Sequence, residues 1–87
     1  MIGKFVLVRT YSAGVHFGTL ISQNGQEVHL SNAKRLWSWK GALSLSEIAN
    51  KGLDIPNSKI SMPVEEIILP QATEIILVSK KSNLPCN

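Results

Sequence analysis

Apolar and polar residues alternate in short runs along this chain, and turn residues separate the runs. Phe5-Val6-Leu7-Val8 is rich in β-branched and aromatic residues, and the stretch from Lys4 to Tyr11 holds no turn residue, which predicts a strand. Side chains alternate along a strand, so Phe5, Leu7, Arg9 and Tyr11 share one face and Val6, Val8 and Thr10 the other. Both faces begin apolar, so the strand is expected at the centre of a sheet. Ser12-Ala13-Gly14 reads as a tight turn or bulge. Val15 to Ser22 follows as a second strand, and Asn24-Gly25 is a strong hairpin signal. Glu27 to Leu30 returns as a third strand, with Val28 and Leu30 facing in and His29 out. Ser31-Asn32 allows a kink before a fourth strand, Ala33 to Lys40. Short links throughout predict an antiparallel meander.

The period changes after Lys40-Gly41. Ser44-Leu45-Ser46-Glu47 fits a capping box, Leu45, Ile48 and Ala49 form an apolar stripe, and Gly52 suits the end of a short helix. Two turns of helix hold by docking, since so short a segment is unstable alone. Leu53 to Lys59, with Pro56 and Asn57, reads as a surface loop. Pro63 puts Ile60 to Val64 at an edge or bend, because it has no N–H for a ladder. Glu65-Glu66 reads as a solvated charge pair, and Ile67 to Leu69 and Thr73 to Val78 as the last strands, separated by Pro70-Gln71. The predicted fold class is α+β, mostly β: an antiparallel five- to six-stranded sheet or small barrel with one short helix at about 44–51. One compact domain is expected over 1–80, with a loose tail over 81–87. Apolar residues on both faces of the last two strands make a homo-oligomer the expected assembly.

Eighty-seven residues with 44% hydrophobic and 17% charged content suit one folded domain. No apolar run approaches the roughly 20 residues that span a bilayer. The N-terminal segment reads as a first strand rather than a leader, and a cytoplasmic location, without a membrane partner, is the expectation. Cys86 is the single cysteine and cannot form an internal disulfide. His16 and His29 lack the neighbours that a zinc site needs, so neither a metal nor a cofactor is expected. Charge is uneven: residues 1–43 hold five basic side chains against one acid, and residues 44–87 hold four against five. That balance favours an anionic partner, but it is weak for duplex DNA, whose binders neutralise about six to ten phosphates. A ligand with one or a few phosphates fits better.

Two stretches concentrate chemistry. In Arg35-Leu36-Trp37-Ser38-Trp39-Lys40-Gly41, an extended backbone puts Arg35, Trp37 and Trp39 on one face. A guanidinium beside indoles stacks on flat rings and pairs with phosphate. Tryptophans in a small domain also serve as core, so the expectation is mixed: one indole mostly buried, the other on a cleft wall. Arg9-Thr10-Tyr11-Ser12-Ala13-Gly14-Val15-His16 offers a cation, hydroxyls, a phenol, a backbone able to form an anion nest, and an imidazole. It equally describes a hairpin turn whose polar groups satisfy one another. His16 is the one candidate general base, yet it has no evident partner and no nucleophile or phosphate-loop motif accompanies it, so an enzyme is the less favoured reading.

R-T-Y-S-A-G-V-H-F-G at 9–18, A-K-R-L-W-S-W-K-G-A at 33–42, S-L-S-E-I-A at 44–49 and I-S-M-P-V-E-E-I at 60–67 resemble a small tailed-phage protein family. Its members are short, stand alone and carry no assigned activity, so the resemblance transfers no catalytic or binding residue. It does imply a phage protein in a bacterial host cell. Several unrelated small phage proteins act as sponges that sequester cyclic nucleotide messengers of bacterial immunity in sites built between subunits. By analogy of size, context and chemistry, the leading expectation is such an anti-defence sponge for a cyclic di- or trinucleotide. In it Tyr11, Trp37 and Trp39 stack on bases, Arg9, Arg35 and Lys40 meet phosphates, and Ser12 and His16 bond base edges or ribose. The alternatives are a single-stranded nucleic-acid or protein-interaction module in phage replication, and a phosphodiesterase using His16.

Overall fold

The computed structural model describes residues 1–85; Cys86 lies outside them. The apolar start of the chain forms β1 (Phe5–Thr10), central as its two apolar faces require. It pairs antiparallel with β2 (Val15–Asn24) on one side and β6 (Ala72–Leu77) on the other. The Asn24-Gly25 signal is realised as the tight link from β2 to β3 (Glu27–Ser38). The third and fourth strands expected from the pattern are one continuous 12-residue strand, because the kink at Ser31-Asn32 is a bulge rather than a break.

That bulge decides which side chains meet. Phe17 pairs Lys34 and Thr19 pairs Ser31, so Gly18 alone faces Asn32 and Ala33. Asn32 takes the extra residue in a left-handed conformation, φ 48°, which asparagine tolerates better than most residues. Side-chain parity changes there: Val28 and Leu30 face inward before the bulge, and Ala33 after it. Gly18 is required, since a Cβ at that position would lie 2.9 Å from the Ser31 carbonyl oxygen.

The outer edge of β3 is shared by two strands. β4 (Lys59–Ile60) pairs with its end and β5 (Val64–Leu69) with its beginning, completing a six-stranded antiparallel sheet of order β4-β3-β2-β1-β6 with β5 also on β3. Pro70-Gln71 joins β5 to β6, although these strands lie at opposite edges. Three Cα–Cα steps of about 3.8 Å bring the edges together at that end, so the sheet curls. It is not closed into a barrel, because β5 and β6 pair with β3 and β1 and not with each other.

Curling creates two cores. The inner one gathers Val6, Val8, Leu20, Val28, Leu30, Ala33, Leu69 and Ala72, with Ile67 and Ile75 against it. The other face holds Leu7, Phe17 and Leu36 and is covered by α1 (Leu45–Lys51) through Leu45, Ile48 and Ala49. Phe5 and Phe17 meet there edge to face, centroids 5.9 Å apart. The Ser44 half of the capping box forms, the Glu47 N–H donating to Ser44 Oγ at 3.2 Å, while Glu47 Oε2 accepts from the N–H of Leu43, one residue before the cap, at 3.1 Å. A short 3₁₀ turn, Ile55–Asn57, follows. Among the described residues no helix is long and apolar enough to cross a membrane.

The tail expected to be loose from residue 81 is instead docked as far as Leu84, which is buried against the helix-side core. Asn83 explains this. Its Oδ1 accepts from the Leu53 N–H at 2.9 Å, and its Nδ2 donates to the Leu53 carbonyl at 2.6 Å, so one amide side chain satisfies both backbone groups. Gly52, at φ 96°, leaves the space that Asn83 fills; a Cβ there would overlap the amide. Ser82 Oγ adds a bond to the Ile48 carbonyl at 2.8 Å.

Candidate functional site

The site begins where the edge strand fails. Between β4 and β5, Ser61-Met62-Pro63 leaves the ladder, because Pro63 has no N–H to contribute. Ser61 repairs the gap beside Arg35: its N–H donates to the Arg35 carbonyl at 2.9 Å, and its Oγ accepts from the Arg35 N–H at 2.8 Å. The outward excursion of Met62 and Pro63 opens a cleft of about 280 Å³ at the margin of the inner core. His16, Arg35 and Trp37 line it with Ser61, and Met62, Val64 and Ile67 supply apolar wall.

Arg35 and Trp37 follow Ala33 on the inward parity set by the Asn32 bulge. The Trp37 indole is 65% exposed, unusual for so large an apolar side chain. Arg35 is exposed, and among the described residues no carboxylate lies within ion-pairing reach of it. Its Nε–H donates to His16 Nε2 at 3.2 Å. His16 pairs with Arg35 in the β2–β3 register and is 1% exposed. Since Nε2 accepts, the neutral ring carries its proton on Nδ1, and Nδ1 has no partner among the described residues. Burial, and then the Arg35 charge, lower the His16 pKa to about 4, so the ring is neutral at pH 7. A base whose accepting nitrogen is already engaged by a guanidinium is poorly placed to take a proton from a substrate.

Three of the eight residues singled out in the sequence therefore meet in one cleft: His16, Arg35 and Trp37. The other five lie elsewhere. Trp39 follows the end of β3 and packs, partly buried, against the helix-side core, so the two indoles divide as the mixed expectation had it. Lys40 is exposed beyond the strand, its N–H donating to Ser58 Oγ. Arg9 points away from the inner core by strand alternation and faces Glu74, Nε to Oε1 3.8 Å, both side chains half exposed. Tyr11, 80% exposed, borders a separate hollow of about 260 Å³ with Gln26, Gln71 and Thr73. The Ser12 hydroxyl donates to Gln71 Oε1 at 3.5 Å.

Within the 9–16 stretch, Thr10 organises the hairpin turn. Thr10 donates its N–H and its hydroxyl to the Gly14 carbonyl at 3.0 and 2.8 Å, and the Ala13 N–H donates to Thr10 Oγ1 at 2.9 Å. Sequence reasoning missed Ser61 as the partner of the Arg35 backbone and Met62, Val64 and Ile67 as wall of the same cleft. Pro63 was the available signal, since a proline in an edge strand marks where the edge opens.

No curated protein and no solved structure matches the chain. Its sequence matches, over residues 3–84, the family described as "Domain of unknown function (DUF6948)", and the chain belongs to that family.

Proposed function

We propose that this chain is a binding protein that holds a nucleotide by its base and phosphate in the cleft of His16, Arg35 and Trp37, and releases it unchanged. The observation that carries this reading is the presence, on one otherwise apolar cleft, of an accessible indole and a guanidinium that has no acidic partner among the described residues. The Trp37 face takes a base by stacking, and the Arg35 donors take oxygens of the ligand. The His16 environment supports binding without cleavage, because the ring has no free accepting nitrogen to act as a base.

The ligand in this proposal is a cyclic di- or trinucleotide immune messenger, and the protein a phage-encoded anti-defence sponge in the host cytoplasm. A cleft of about 280 Å³ falls at the small end for a drug-sized ligand, so one chain takes one base and its phosphate. A ligand with two or three bases then spans copies of a homo-oligomer. Stacking at about 1–3 kcal/mol per base, with charge-assisted contacts of similar size, supports tight binding once two clefts act together.

Isothermal titration of the purified protein with a panel of cyclic di- and trinucleotides tests this. Saturable binding, mild salt dependence and recovery of intact ligand after heating the complex are expected. Preference for longer single strands with a steep salt slope favours the nucleic-acid module instead. Recovery of linearised ligand favours the phosphodiesterase.

A further inference from the structure

Most polar groups left free in the cleft have a common sign. Arg35 donates through Nε to His16 and keeps four further guanidinium N–H donors, with no other protein partner among the described residues. His16 spends its accepting nitrogen on that bond and retains only the Nδ1–H, which is buried and unpartnered. Ser61 Oγ spends its hydrogen on the Met62 carbonyl at 3.0 Å and one lone pair on the Arg35 N–H, which leaves it a single accepting lone pair and no donor. The indole N–H of Trp37 is a donor only. Donors therefore outnumber acceptors among the side-chain groups left to meet a ligand, the one remaining lone pair of Ser61 Oγ being the exception.

We infer that the cleft selects guanine over adenine, because the free Arg35 fork gives only donors and guanine offers two adjacent acceptors, O6 and N7, where adenine offers N7 beside an amino donor. The inference rests on the cleft being a base-binding site and adds which base it takes. Adenine presents N7 beside the N6 amino group, and a guanidinium fork that meets N7 sets a donor against that amino donor. Arg35 takes O6 and N7 with part of its fork, while its remaining N–H groups serve further acceptor oxygens of the ligand. The discrimination expected from one such bidentate contact is on the order of ten- to a hundredfold.

The test uses the full chain and two probes that differ in the base alone, cyclic di-GMP and cyclic di-AMP, titrated calorimetrically at one salt concentration. The guanine probe is expected to bind at least about tenfold more tightly. Equal affinities, or tighter binding of the adenine probe, overturn the base selection while leaving the site a nucleotide site. Binding of neither probe overturns both. Arg35→Gln supplies an independent reading, since glutamine pairs with adenine N6 and N7. Arg35 is exposed, so the variant should fold, as checked by its thermal transition. The affinity ratio should move toward adenine by tenfold or so; an unchanged ratio assigns base selection to some other group and overturns the role given to Arg35.

Discussion

Arg35 Nε donates to His16 Nε2 across 3.2 Å, so the most buried polar ring of the protein is tied to an exposed guanidinium at the cleft margin. The contact fixes the imidazole tautomer, keeps it neutral and leaves its other nitrogen without a partner among the described residues. It also couples β2 to β3 immediately beside the residues proposed to meet ligand.

The depressed His16 pKa makes stability depend on pH in one direction. The unfolded ring binds a proton near pH 6.5 and the folded one near 4, so the unfolded state holds more protons between those values. Stability is therefore full above about pH 6.5 and falls as pH drops toward 4, by an amount on the order of 3 kcal/mol. Urea unfolding at a series of pH values checks this by comparing wild type with His16→Gln. The difference between the two should change across that window; a constant difference contradicts the assignment.

Trp37 and Trp39 should respond oppositely to truncation. Trp37→Ala removes a side chain that is mostly in water, so stability should change by no more than about 0.5 kcal/mol. Trp39→Ala takes an indole from the helix-side core and should cost about 1–3 kcal/mol. Thermal or urea midpoints of the two variants, measured together, check the contrast.

Gly18→Ala should destabilise by about 1–3 kcal/mol, because the new methyl group meets the backbone of Ser31 and Ala33 across the bulge. Since that bulge sets the parity of Arg35 and Trp37, ligand binding should weaken as well. Equilibrium unfolding and titration of the same sample check both effects.

Asn83→Ala should cost about 1–3 kcal/mol by leaving the Leu53 N–H and carbonyl unpaired in a partly buried setting. Hydrogen exchange at Leu53, together with the unfolding midpoint, reads the loss directly.

Much of this architecture was legible wherever local chemistry decides structure. The alternation in Phe5 to Thr10, the Asn24-Gly25 turn and the Ser44 N-cap each specify their own geometry, and each formed. Features that depend on distant partners were not legible. Asn32 reads as a break in the pattern, yet its role as a bulge depends on Gly18, fourteen positions earlier in the chain. The Asn83 clamp needs Leu53 beside it, and nothing in the polar run Lys80 to Asn83 announces that contact.

The site divides along the same line. Alternation put Arg35 and Trp37 on one face and held, but it placed Trp39 with them because the end of β3 at Ser38 depends on the short partner β4. His16 joined them through strand register, and Arg9 and Tyr11 did not, for strand alternation turns Arg9 away and the hairpin turn carries Tyr11 to a different hollow.

Calorimetric titration of wild type and Trp37→Ala with cyclic di-GMP puts the cleft to its most direct test. Wild type should bind saturably, and the variant, still folded, should bind roughly ten- to a hundredfold more weakly, as expected for loss of one stacked base. Equal binding by the two proteins, or no binding by wild type at micromolar concentration, contradicts the account.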